Sequence, residues 1–137
     1  MFESAIIKLL SEDDTLASLL TVFDSSPAIF AERAPKAAMT PFIIFKIDRS
    51  SNECPAVQEF TVLIDLYDYD KSRVNSNKAI ERIEFLLDRA EIEHERYSKI
   101  RLVFFAGSYV EETDPRDIHY NMQFLARAGR KKWVQQL

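Results

Sequence analysis

The chain has 137 residues, 47% of them hydrophobic and 29% charged, with 18 basic and 22 acidic side chains and a net charge of −4. That length suits one hydrophobic core, the composition is far from the polar regime that leaves chains disordered, and the charge balance gives no overall footprint for nucleic acid. Only two glycines, Gly107 and Gly129, and one cysteine, Cys54, are present, which excludes Gly-rich phosphate loops, internal disulfides and cysteine-based zinc sites.

A helical stripe opens the chain, with Phe2, Ile6, Leu9 and Leu10 on one face. After a break at 11–14, Leu16, Leu19, Leu20 and Phe23 continue it as a short second helix that Asp13 or Asp14 is placed to cap, and Ser25, Ser26 and Pro27 end it. Residues 28–34 and 42–47 read as two strands joined by a short linker that Pro35 and Pro41 bracket, and the polar run 50–56 reads as an exposed loop. A further strand over 59–68 alternates Phe60, Val62, Ile64 and Leu66 against Thr61, Leu63, Asp65 and Tyr67. The period then becomes helical, with Val74, Ile80, Ile83, Leu87 and Ala90 on one stripe and Asp70 placed to cap. Strands over 99–112 and 118–127 follow, turned by residues 114–117; in the last, Ile118, Tyr120, Met122 and Phe124 alternate with His119, Asn121 and Gln123. These elements predict one α+β domain over 1–137, a mostly antiparallel β-sheet with the N-terminal helix and one long central helix packed on one face. No apolar run approaches the ~20 residues that span a bilayer, and residues 1–8 lack the pattern of a signal peptide. A reducing, cytoplasmic setting and no membrane partner are expected.

Catalytic patterns do not emerge. Read as a calcium loop from Asp68, the acidic run puts Arg73 where the template needs glycine and Ala79 where it needs a bidentate Glu, so Asp70 is expected to cap the helix and Asp65 and Asp68 to sit at a solvated strand end. His94 and His119 sit on different elements without metal-ligand spacing, Ser108 lacks the second glycine of a nucleophile elbow, and Cys54 has no local cause for activation. Glu91, Glu93, Glu95, Glu111 and Glu112 read as solvated edges rather than buried acids. The one local concentration of charge is the stretch 127–133, where Arg127, Arg130, Lys131 and Lys132 precede Trp133. It reads as a solubilising tail or as a contact for phosphate or an acidic partner, the exposed Trp beside cations having the make-up of an interface anchor.

Several segments together resemble one family: Leu16-Ala-Ser-Leu-Leu20, the strand 29–33 leading to Pro35, Thr40-Pro41-Phe-Ile-Ile44, the strand 60–68 running into a helix, and the turn 114–117 into Ile118-His-Tyr-Asn-Met-Gln-Phe124. The pattern, which covers nearly the whole chain, is similar to the tail terminator or tail completion proteins of long-tailed bacteriophages. The resemblance implies a virion protein assembled in the host cytoplasm, forming a homohexameric ring that ends the tail tube and meets the head-tail connector or neck. It implies no enzyme, no cofactor, no metal and no specific nucleic acid. By analogy, Arg49, Asn52 and Glu53 in the loop 48–57, with Arg127, Arg130, Lys131, Lys132 and Trp133, are the candidate partner-binding residues. Two other readings stand beside it: a head-closure or neck subunit of the same assembly, and a small-ligand-binding domain gathering Tyr67, His119 and Asn121 around a pocket.

Overall fold

A computed structural model describes residues 2–49 and 57–129, together with the backbone but not the side chain of Ser98. Asn52, Glu53, Cys54, Arg130, Lys131, Lys132 and Trp133 lie outside the described residues.

Helix α1, Glu3–Ser11, buries Ile6 and Leu10. Phe2, just ahead of it, meets Phe60 edge to face at 5.1 Å. Of the two candidate caps it is Asp13 that acts, its carboxylate accepting the Leu16 N–H at 2.9 Å at the start of α2, Asp14–Ala17. The second helix is shorter than its apolar stripe suggests. Asp24 and Ser25 both take left-handed φ (47° and 66°), and a two-residue hairpin there joins β1, Val22–Phe23, to β2, Ser26–Pro27. Phe23 therefore belongs to strand β1 of this hairpin and not to a helix, while Leu20 is still buried.

The main sheet has six strands in the order β3-β4-β5-β8-β7-β6. They are β3, Ile29–Ala31; β4, Phe42–Arg49; β5, Val57–Tyr69; β6, Glu91–His94; β7, Tyr97–Tyr109; and β8, Asp117–Gly129. Only β3 with β4 is parallel; every other pairing is antiparallel. Strand β3 is shorter than the expected 28–34 because Glu32 takes φ 69° and turns the chain away. Strand β6 falls where only a solvated acidic edge was expected; its Ile92 faces the core and is 5% exposed.

At the centre, β5 and β8 pair without a break from Val57↔Gly129 to Tyr69↔Asp117. Their alternation follows the sequence reading, with Phe60, Val62, Ile64 and Leu66 buried on one face against Met122, Phe124 and Ala126. Helix α3, Val74–Leu87, lays Ala79, Ile83 and Leu87 on the same core together with α1 and α2, so all three helices cover one face. Val74, expected on that stripe, is exposed, since it precedes Ser76 by two residues, about 200° round the helix from the row that Ser76 and Ala79 start. Asp70 does not cap α3: the N-cap is Arg73, with no side-chain cap bond, and Asp70 takes φ 50° with its N–H donating to the Arg116 carbonyl at 2.8 Å.

Candidate functional site

The face of the sheet turned away from the helices carries the odd-numbered side chains of β5 and β8. Register places Phe42 opposite Tyr67 and Tyr67 opposite His119. The rings stack accordingly, Phe42 on Tyr67 at 5.3 Å and Tyr67 on His119 at 4.3 Å, and edge contacts continue the row through Phe30 to Phe23. This aromatic ladder crosses strands distant in sequence, each cross-strand pair adding to the sheet beyond its buried area.

At its end, His119 Nε2 lies 2.7 Å from Asp65 Oδ1 and Nδ1 lies 2.7 Å from Glu112 Oε1. Asn121 donates to the same Asp65 oxygen at 2.9 Å. A neutral imidazole has one N–H and donates to one carboxylate only; the doubly protonated ring donates to both. Each ring nitrogen faces a carboxylate oxygen, and a neutral ring leaves one of the two contacts without a proton. The phenol of Tyr67 is pushed up by burial first and then by the negative charges of Asp65 and Glu112. Tyr67, His119 and Asn121 lie together: His119 and Asn121 share Asp65, and Tyr67 stacks on His119 and lines the groove beside it. Asp68, expected at a solvated strand end, is instead 3% exposed, its carboxylate accepting the Tyr69 N–H at 2.8 Å.

Beside the ladder lies a groove of about 480 Å³, with Met39, Phe42, Tyr67 and Tyr69 as its apolar wall and Glu112 and Asp117 as its acidic rim. Met39 and Tyr69 are exposed. Tyr69 takes the Arg116 guanidinium over its ring at 5.3 Å and reaches Asp114 with its hydroxyl at 3.3 Å. No three His, Cys, Asp or Glu side chains among the described residues are grouped to hold a metal ion, and no described helix is long and apolar enough to cross a membrane.

The two described candidates from the sequence, Arg49 and Arg127, occupy the opposite end of the sheet, flanking the Phe60 and Glu59 positions of β5. Arg49 donates from Nε to Gln58 Oε1 at 3.0 Å, and Gln58 is itself buried. Arg127 pairs with Glu59 at 3.2 Å and stays largely exposed. Alternation puts Arg49 in line with the core-facing Ile47 and Arg127 in line with the outer-facing Leu125, so the two arginines share an end of the sheet but not a face. That end is also where β4 leaves for residues 50–56 and β8 leaves for residues 130–137. The groove was not visible in the sequence, because Met39, Tyr69 and Asp117 come from three separate segments that only the strand register brings together.

No protein-family model and no curated protein matches the sequence. Among solved structures, the fold is similar to that of a chain in one described as "Virion of native gene transfer agent (GTA) particle", with a TM-score of 0.73 at 15% identity over 90% of this chain and 91% of that one. At that identity the two share a fold.

Proposed function

We propose that this chain is a structural, non-catalytic subunit of a phage-like particle, forming a ring that ends the tail tube and joins it to the head or neck. The observation that carries this reading is the end-to-end likeness in fold to a chain of a gene transfer agent virion, which spans nearly all of both chains. Two features of the site support it. The one histidine within the converging polar cluster is enclosed by two carboxylates of the protein and its side chain is 13% exposed, so it presents little surface to a substrate. The two sheet ends carry different side chains, Arg49 with the Arg127–Glu59 pair at one and Glu112, Asp117 and the Arg116–Asp114 pair at the other, an arrangement suited to unlike surfaces meeting between neighbouring subunits.

Light scattering coupled to size exclusion over a wide concentration range, followed by negative-stain imaging with and without tail tubes, tests the proposal. Rings of roughly six subunits, free or seated on tube ends, are the expected outcome. A chain that stays monomeric at every concentration and does not bind tubes would sink the reading. Binding to portal-side proteins with no affinity for tubes would move the chain to a head-closure or neck position.

A further inference from the structure

We propose that the groove between Met39, Tyr69 and Asp117 receives residues 130–133 of a second copy of this chain, joining copies head to tail. The inference rests on the reading of the chain as a self-assembling subunit and names the contact that assembles it.

Reach decides that the contact is between molecules. Strands β5 and β8 stay in register from the groove end to the far end, so Ile118 in the groove wall and Gly129 lie on one continuous strand. The eleven-residue step between them covers roughly 36 Å at the rise of a β-strand. Residues 130–133 extend at most ~14 Å beyond Gly129 even when fully stretched. The segment falls short of its own groove by more than a factor of two. Another copy's segment has no such limit.

Chemistry decides that the two surfaces fit. The segment reads Arg130-Lys-Lys-Trp133, three cations and an indole. The groove offers the counterpart of each: Met39, Phe42 and Tyr69 form an apolar and aromatic wall for the indole, while Glu112 and Asp117 stand on the rim for the cations. The Glu112 side chain is 35% exposed, which leaves it open to an incoming charge while it holds His119. Arg116 already lies over the Tyr69 ring, so the incoming cations are left to Glu112 and Asp117. A volume of about 480 Å³ is of the size that takes one large side chain and its neighbours. Because the donor and acceptor surfaces are different patches, each copy uses one and presents the other, and the contact repeats until the rotation closes a ring or runs on as a filament.

A fluorescein-labelled peptide of residues 127–137, titrated with the intact chain and followed by anisotropy, tests this directly. Saturable binding is expected, weakening with salt and falling at least about tenfold for Asp117→Lys in the protein or Trp133→Ala in the peptide. Glu112→Gln, which keeps a hydrogen bond to His119 and removes the charge, lowers affinity in the same direction. Amide NMR signals of Met39, Tyr69 and Asp117 shift on binding while those of Ala79 and Ile83, on the helical side, stay in place. No binding, equal binding of a scrambled peptide, or binding that ignores the groove substitutions overturns the proposal. Rings seen by imaging without peptide binding would keep the ring and discard this contact; peptide binding by a chain that never seats on tail tubes would keep the contact and discard the tube-ending role.

Discussion

Asp13 does two jobs with one carboxylate. It caps α2 through the Leu16 N–H and takes a two-point contact from Arg82 on α3, Nε at 2.8 Å and Nη2 at 2.6 Å. The Arg82 hydrogen bond holds its pKa below the ordinary carboxylate value, burial pulls the other way, and the Leu16 N–H adds to the lowering. A folded value below the unfolded one means that the charged form stabilises the protein above about pH 4 and that this contribution is lost as pH falls through the depressed value. Replacing Asp13 with Ala is expected to cost ~1 kcal/mol at neutral pH from the lost cap alone. The gap between Asp13→Ala and the parent, read from urea midpoints, should narrow as pH is lowered from about 5 to 2; a constant gap would show that the charge is not involved. Arg89 offers the opposite case. It follows α3 with φ 65°, a left-handed position where a side chain is strained, and its N–H donates to the Leu102 carbonyl at 2.8 Å. Arg89→Gly removes that strain and keeps the donor, so stability should rise by roughly 0.5–1 kcal/mol despite the entropy glycine adds to the unfolded chain.

Strand β7 shows what an element adds to its residues. Between Phe104 and Ala106 the register to β8 slips by one, and Phe105, the extra residue, is 62% exposed. Just beyond, Gly107 sits under the ring of Tyr120: an added Cβ would lie 2.7 Å from the Tyr120 hydroxyl and within 3.2 Å of two ring carbons. Tyr120 is in turn edge-packed on Tyr109 at 4.8 Å, so it has little freedom to yield. Gly107→Ala should therefore destabilise by about 1–3 kcal/mol, measurable in thermal melts, without changing secondary structure by circular dichroism. The long elements were legible because their patterns are strong: the alternation along Phe60, Val62, Ile64 and Leu66 and the helical spacing of Ile83 and Leu87 follow directly from which faces are buried. What escaped depends on information a linear pattern lacks. The β7 bulge, the parallel pairing of β3, and the turn at Asp24 and Ser25 are set by partners and by backbone angles. The aromatic ladder and the groove arise from register across strands, so Tyr67 and His119 could be named as residues while Met39, Glu112 and Asp117 could not be seen as their neighbours.

For the whole molecule, a sheet with unlike ends predicts directional assembly. A chain carrying Trp133→Ala keeps a working groove, and one carrying Asp117→Lys keeps a working tail; mixed, they have a single compatible contact between them. Mass photometry of the mixture should show heterodimers and nothing larger, and the return of large rings would mean that copies meet through some other surface. The strand order β4-β5-β8-β7 has a further consequence, one in time. The middle strand β5 is flanked on one side by β8, whose residues 117–129 follow those of β5 by about sixty positions, and the buried rings of Phe60 and Phe124 belong to the same core. Such distant pairing makes folding slow relative to a helical chain, and it leaves half of β5 without its neighbour until β8 has been synthesised. The cationic stretch that follows β8 emerges after that strand, so each subunit completes its groove-bearing sheet at about the moment its own docking segment becomes available, and half-made chains have little with which to enter an assembly.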